Sequence, residues 1–267
     1  MTTLFSHAGT VAKFQARDVV RSRWLAAYVA FFWIVTEGLL RFAGGDARAI
    51  LSLASVVLYV VPLVTLVFGT VYLYNAREFT ELLLAQPVDR RALYVGLYVG
   101  LTGPLCLAIT AGVGMPFLLR GGVAEAQPAM LASLMGAAIA LTLIFSAIAF
   151  CIALLCTDRL RGLGAAIGVW MVGAIVYDGL VMAIVAAFEG HPLERPMLAL
   201  TLANPIDLAR ITLLLQLDVS ALMGYTGAVF QQFLGGAVGT VVAVGSLLLW
   251  IVAPAWLGMR AFATKDF

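Results

Sequence analysis

The chain has 267 residues, 63% of them hydrophobic and only 11% charged, with a mean hydropathy of +1.04. A water-soluble domain carries roughly 25% charged residues, so this composition excludes a soluble catalytic domain and leaves room for about six spans of ~20 apolar residues. A net charge of +2 gives no electrostatic case for nucleic acid as a partner; the expected solvent is the lipid bilayer.

The first residues lack the apolar centre and small-residue cleavage site of a signal peptide, so the N-terminus is expected to be retained. In Ala8–Arg23, Lys13, Arg17 and Arg21 share one helical face, and Ala12, Ala16, Val19 and Val20 lie on another. That pattern suits an amphipathic helix in the headgroup plane. The expected fold is all-α and polytopic, a single transmembrane domain over 1–267, with spans at about 24–42, 50–74, 92–119, 128–156, 162–188 and 237–259. Glu37 sits near the far end of the first span. Pro62 lies near the middle of the second, where neighbouring helices tolerate the freed carbonyl.

Between the second and third spans comes a charged island, Asn75–Arg91. Phe79, Leu82 and Leu83 recur at i, i+3 and i+4, while Glu78 and Glu81 fall on another side. Pro87 ends this short helix, because the residue before a proline is pushed out of the helical region. Asp89 is placed to cap the next helix. The island reads either as a plain polar loop or as a coupling helix that sits in a groove on a partner.

A second, smaller island, Thr157–Arg161, contains Asp158 and Arg159. The fifth span follows it, with Asp178 inside and with Gly164, Ala165 and Gly168 available for close helix approach. The stretch 189–236 is too polar for a plain span and too apolar for a free loop. Asn204-Pro205 breaks it, and it is expected to form extracytoplasmic interfacial helices.

Lys and Arg set the orientation. With the N-terminus inside, eleven basic residues face the cytoplasm and five face out. Both termini and both charged islands are then cytoplasmic.

The island sequence E-L-L-L-A-x-P-V-x-R, Glu81–Arg90, resembles the segment after the second span in ABC-2 type permeases. Further along, Gly168-Val169-Trp170 with Asp178, then Asn204-Pro205-Ile206-Asp207-Leu208-Ala209-Arg210, then Ser220-Ala221-Leu222-Met223-Gly224 follow one another. This order is similar to the membrane subunit of Nos-type ABC transporters, which help mature the copper sites of nitrous oxide reductase. The similarity runs along nearly all the chain, with a departure at Arg77-Glu78. It implies a permease subunit of the inner membrane, paired with a second copy of itself and with a cytoplasmic ABC ATPase. A periplasmic partner protein is implied as well. Glu78, Phe79, Glu81, Leu82, Leu83, Pro87, Arg90, Asp158 and Arg159 would then carry ATPase coupling.

The chain has no G-x-x-x-x-G-K-[ST] phosphate cradle, so ATP and magnesium are expected in the partner chain, with no cofactor bound by this one. No H-E-x-x-H or cluster of His, Cys and carboxylate points to catalysis or a metal site. Cys106, Cys151 and Cys156 lie in apolar runs; the last two are about 140° apart round a helix, poor for joint ligation. Asp178, with Glu37, is a candidate intramembrane gate position, because a mid-span charge costs ~2.5–3.5 kcal/mol on insertion. The alternative for Asp178 is a hydrogen bond that holds the bundle together. Asn204, Asp207 and Arg210 either face an extracytoplasmic partner or pair among themselves at i, i+3. Two functions stay open: export of a cargo, or transmission of cytoplasmic force to an outer partner with nothing crossing.

Overall fold

The computed structural model describes residues 2–85, 89–120, 128–188, 194–216 and 236–265. Its elements among these residues are helical: α1 (Thr2–Arg21), α2 (Arg23–Phe42), α3 (Asp46–Asn75), α4 (Arg77–Leu84), α5 (Arg90–Leu119), α6 (Pro128–Leu155) and α7 (Arg159–Met171). A π-helical turn (Val172–Val176) joins α7 to α8 (Tyr177–Ala187). Then come α9 (Glu194–Ala203), α10 (Pro205–Gln216) and α11 (Ala237–Thr264). Among the described residues, six helical stretches are long and apolar enough to cross a membrane: Arg23–Phe42, Arg48–Asn75, Arg90–Leu119, Pro128–Leu155, Arg159–Ala187 and Gly239–Thr264. The protein is an all-α, multi-pass membrane protein.

Side-chain caps punctuate these helices. Ser22 accepts from the Trp24 amide and separates α1 from α2. Asp89 accepts from the Arg91 amide at the start of α5, and Asp158 from the Leu160 amide at the start of α7. Each cap satisfies one of the orphan N–H groups that every helix leaves at its N-terminus.

The bundle core is built by α3, α5 and α6, through Val57, Leu66, Leu97, Leu101, Leu141 and Phe150. α2, α7, α8 and α11 lie outside and keep apolar side chains such as Ile34, Met182 and Leu249 exposed. Lipid makes that exposure inexpensive, because it is as apolar as the side chains themselves.

Close approach of α1 and α2 to the bundle occurs on α5. A Cβ added at Gly100 would lie 2.7 Å from the Gln15 Cβ, and one at Gly96 would lie 2.8 Å from the Val11 Cβ. One at Gly112 would lie 2.8 Å from the Phe32 Cβ. Glycines on α5 thus seat α1 and α2 against it. Gly164 and Gly168, which the sequence suggested for such contact, meet nothing within 4 Å. α1 is therefore docked on the bundle by one face while Lys13, Arg17 and Arg21 stay exposed on another. Gln15, only 5% exposed, accepts a hydrogen bond from Tyr72 Oη at 2.8 Å and pins α1 to the end of α3.

Candidate functional site

Two places gather the residues singled out in the sequence. The first is the end of the bundle that carries α4. This helix follows α3 after a break at Ala76, and Thr80 turns back to donate to the Ala76 carbonyl. The expected apolar stripe is split by the fold. Phe79 stacks on Phe14 of α1, with ring centroids 5.7 Å apart, and Leu83 packs against the core. Leu82 alone of the three points out, 70% exposed, beside exposed Glu78 and Glu81. The difference from the sequence expectation is physical: a one-sided stripe beside a bundle is drawn to the bundle first. Glu81 pairs with Arg77 at 3.0 Å. Pro87 lies outside the described residues.

This end is cross-tied. Tyr74 Oη, in the last turn of α3, donates to the Cys156 carbonyl at 2.8 Å and the Asp158 carbonyl at 3.3 Å. Gly162 lies directly against the Tyr74 ring. The second charged island is thereby fastened to the hinge from which α4 hangs. Arg90 donates to the carbonyls of Ala263 and Lys265, and Lys265 donates to the carbonyl of Leu154. Arg90 thus caps the end of α11, a use its place beside the coupling island did not suggest. Asp158 is the N-cap of α7, and Arg159 lines a groove beside α1 and α3.

The second place is the break between α9 and α10. The two helices meet at Asn204 with a bend of 112°. Asn204 Nδ2 donates to the Gly173 carbonyl at 2.8 Å, inside the π-helical turn. Trp250 Nε1 donates to the Leu202 carbonyl and Tyr177 Oη to the Leu200 carbonyl, at 3.0 and 2.6 Å. These are two of the carbonyls that the end of α9 leaves without helical partners. Asn204 Oδ1 in turn accepts from the Ile206 amide and caps α10. Gly173 and Trp250 lie near the midpoints of their spans. Irregular backbone at that depth is tolerated only where protein groups satisfy it, and here named side chains do so. The sequence placed this stretch across the outer mouth; its described part instead reaches down among the spans.

A charge cluster fills the same place. Arg210 Nη1 lies 3.1 Å from both carboxylate oxygens of Asp178 and 3.1 Å from Asp207 Oδ1, and its Nη2 is 3.0 Å from Tyr59 Oη. Asp207 also accepts from Asn204 at 3.2 Å. Asn204 and Asp207 are 3% and 8% exposed. They are not free surface for a partner, contrary to one of the two sequence readings, and the pairing at i, i+3 is what the fold contains. Asp178 is held to a neighbouring helix by a bidentate ion pair. Two carboxylates share one guanidinium, so removing the guanidinium would be far costlier than neutralising either acid.

Glu37 sits at the opposite end of the bundle from α4. It accepts from Arg120 at 2.6 Å and from Arg41 at 2.9 Å, tying the end of α2 to the end of α5. It is a staple at a helix end, away from the Asp178 cluster. Among the described residues no three His, Cys, Asp or Glu side chains gather in a way that could hold a metal ion.

Tyr59, Tyr74 and Trp250 escaped the sequence reading, and Trp170 entered it only as part of a motif, with no role given. Trp170 donates to the Tyr59 carbonyl at 2.9 Å. Their signal was chemical: an indole N–H or phenol inside an apolar run needs an acceptor, and a broken helix supplies carbonyls.

Comparison with known proteins agrees along the length of the chain. The family model described as ABC-2 family transporter protein matches residues 10–267. A protein of Pseudomonas aeruginosa described as probable ABC transporter permease protein NosY is 26% identical over 265 residues, covering 93% of each chain. Its namesake in Stutzerimonas stutzeri is 27% identical over 266 residues, again covering 93% of each.

Proposed function

Because this chain belongs to the ABC-2 family of transporter proteins, and so is a transmembrane subunit of an ABC transporter, we propose that a separate cytoplasmic ATPase drives it through α4. The observation that carries this reading is Leu82, bare between Glu78 and Glu81 on a helix braced from behind by Phe14 and Phe79. A braced foot with one exposed apolar knob suits a shallow groove and transmits displacement without bending away. Tyr74 passes that displacement to the start of α7. ATP and magnesium belong to the partner, and this chain does no catalysis. Two copies of the chain would pair in the inner membrane, with α4 and both termini on the cytoplasmic side. The resemblance to Nos-type permeases supports a part in copper-enzyme maturation. ATP binding favours one arrangement of the bundle only if the ATPase contacts α4 differently in its two states.

The experiment is co-purification with the ATPase chain. Leu82→Asp combined with Glu78→Lys and Glu81→Lys should release the ATPase while the membrane subunit still folds. Full ATPase retention in that triple variant would sink the proposal.

A second reading is that force passes to an extracytoplasmic partner and nothing crosses. The hydrogen bond from Asn204 to the π-helical turn favours it, since movement of α7–α8 would carry α9–α10 along. Flux in reconstituted vesicles separates the two. ATP-dependent accumulation of a cargo supports export; ATP-dependent capture of a periplasmic protein without flux supports transmission.

A further inference from the structure

Three cations of α1 stand without a counter-ion. Lys13, Arg17 and Arg21 are exposed, and among the described residues no acid pairs with any of them. Their spacing sets them ~6 Å apart along one side of the helix. That side points away from the bundle, because Val11 and Gln15 on the opposite side lie against Gly96 and Gly100 of α5. Those two glycines are ~9 and ~15 Å from the start of the α5 span at Arg90. After α1 the chain enters its first span with only Ser22 between. The stripe therefore stands at the edge of the hydrocarbon, where a cation calls for an anion. Phe14 and Val20, both exposed, border it. Asp18, the only acid of α1, lies about 60° round the helix from Arg21. The same helix braces α4 from behind, since Phe14 stacks on Phe79 with ring centroids 5.7 Å apart.

We infer that the Lys13, Arg17 and Arg21 stripe binds anionic phospholipid headgroups in the leaflet beside α4, and that the bound lipid steadies α4 through the stack of Phe14 on Phe79. The ammonium and guanidinium groups donate charge-assisted hydrogen bonds to headgroup phosphates, while Phe14 and Val20 meet the first carbons of the acyl chains. A zwitterionic headgroup brings its own cation to the stripe and gains less. An acidic soluble partner would satisfy the charges but leave Phe14 and Val20 in water. A second copy set stripe against stripe would bring like charges together. What α4 does with this support rests on the function proposed above; the lipid site and its effect on α4 do not.

Native mass spectrometry of the full chain in detergent tests the site, with palmitoyl-oleoyl phosphatidylglycerol and phosphatidylcholine at equal concentration. Phosphatidylglycerol should be retained about fivefold more, the scale of one Lys or Arg at an anionic surface. Lys13→Gln combined with Arg17→Gln and Arg21→Gln should erase most of that preference. Arg161→Gln combined with Arg260→Gln should leave it in place. Equal retention of the two lipids by the unmodified chain overturns the inference, as does an equal loss in the two sets of variants. Hydrogen exchange in nanodiscs then reads the link to α4. The amides of Arg77–Leu84 should exchange more slowly with phosphatidylglycerol present than in phosphatidylcholine alone. That difference should vanish in the triple variant, and in Phe14→Ala even though this chain still retains the lipid. Exchange of α4 that ignores the lipid overturns the brace. A second copy is the rival occupant. Arg17→Cys, in a chain whose three native cysteines are replaced by alanine, should stay monomeric under oxidation in membranes; efficient disulfide dimerisation overturns the lipid assignment.

Discussion

Arg210 holds Asp178 with one nitrogen 3.1 Å from each carboxylate oxygen, across 32 residues of sequence and between two different helices. The same guanidinium also serves Asp207 and Tyr59. One cation therefore organises two acids, a phenol and the broken helix that carries it.

Replacing Arg210 by Gln should accordingly be the most damaging single change in this cluster. Breaking a buried ion pair costs ~3–5 kcal/mol, and partial exposure (26% and 34% for the two side chains) should bring this towards the lower end. Asp207→Asn leaves a one-to-one pair and should cost far less. Thermal unfolding in nanodiscs ranks the two; equal losses would contradict the shared-cation arrangement. Glu37→Gln, in a staple between two helix ends, should shift stability less than Arg210→Gln.

Asn204→Ala removes the α10 cap, the donor to the Gly173 carbonyl and the bond to Asp207. A lost cap costs ~1 kcal/mol, and a stranded carbonyl adds ~1–3 kcal/mol. Asn204→Asp keeps the cap but loses the donor and adds a negative charge beside Asp207. It should be no better than alanine. A full rescue by aspartate, measured as unfolding temperature, would show that only the cap matters.

Gly162→Ala should destabilise the chain, because the new Cβ enters the space of the Tyr74 hydroxyl. Tyr74→Phe removes that oxygen and a hydrogen bond worth ~1 kcal/mol. The pair should be non-additive, with alanine at Gly162 costing less in the Tyr74→Phe background, as contacting residues require. Strict additivity in a double-mutant cycle would refute the contact.

Gly100→Val should lift α1 from α5, since even a Cβ there lies 2.7 Å from Gln15. The readout is limited trypsin digestion at Lys13 and Arg17. Cleavage should accelerate in the variant while the spans stay intact, and an unchanged cleavage rate would mean that α1 is not seated on Gly100.

Hydropathy made the spans legible because lipid demands long uninterrupted apolar helices, and few other features of a sequence are so strongly constrained. Asp89 declared the start of α5 in the same local way. Asn204-Pro205 announced a break, but nothing local announced its depth. That depth comes from Gly173, Tyr177 and Trp250, all distant in sequence. The direction of Phe79 was equally hidden, because its competitor for burial, Phe14, lies on another helix. Helical spacing identified which side chains share a side; it carried no information on whether that side would meet this bundle or another protein.

The order in which the chain is made gives the Asp178–Arg210 pair a further meaning. Asp178 leaves the ribosome 32 residues ahead of Arg210, so its helix must enter the bilayer with an acid that has no counter-ion yet. The insertion penalty of ~2.5–3.5 kcal/mol for such a group has to be met by the remaining apolar residues of that span, Arg159–Ala187. Nascent chains arrested between these two positions should linger beside the translocon, and those arrested beyond Arg210 should leave it.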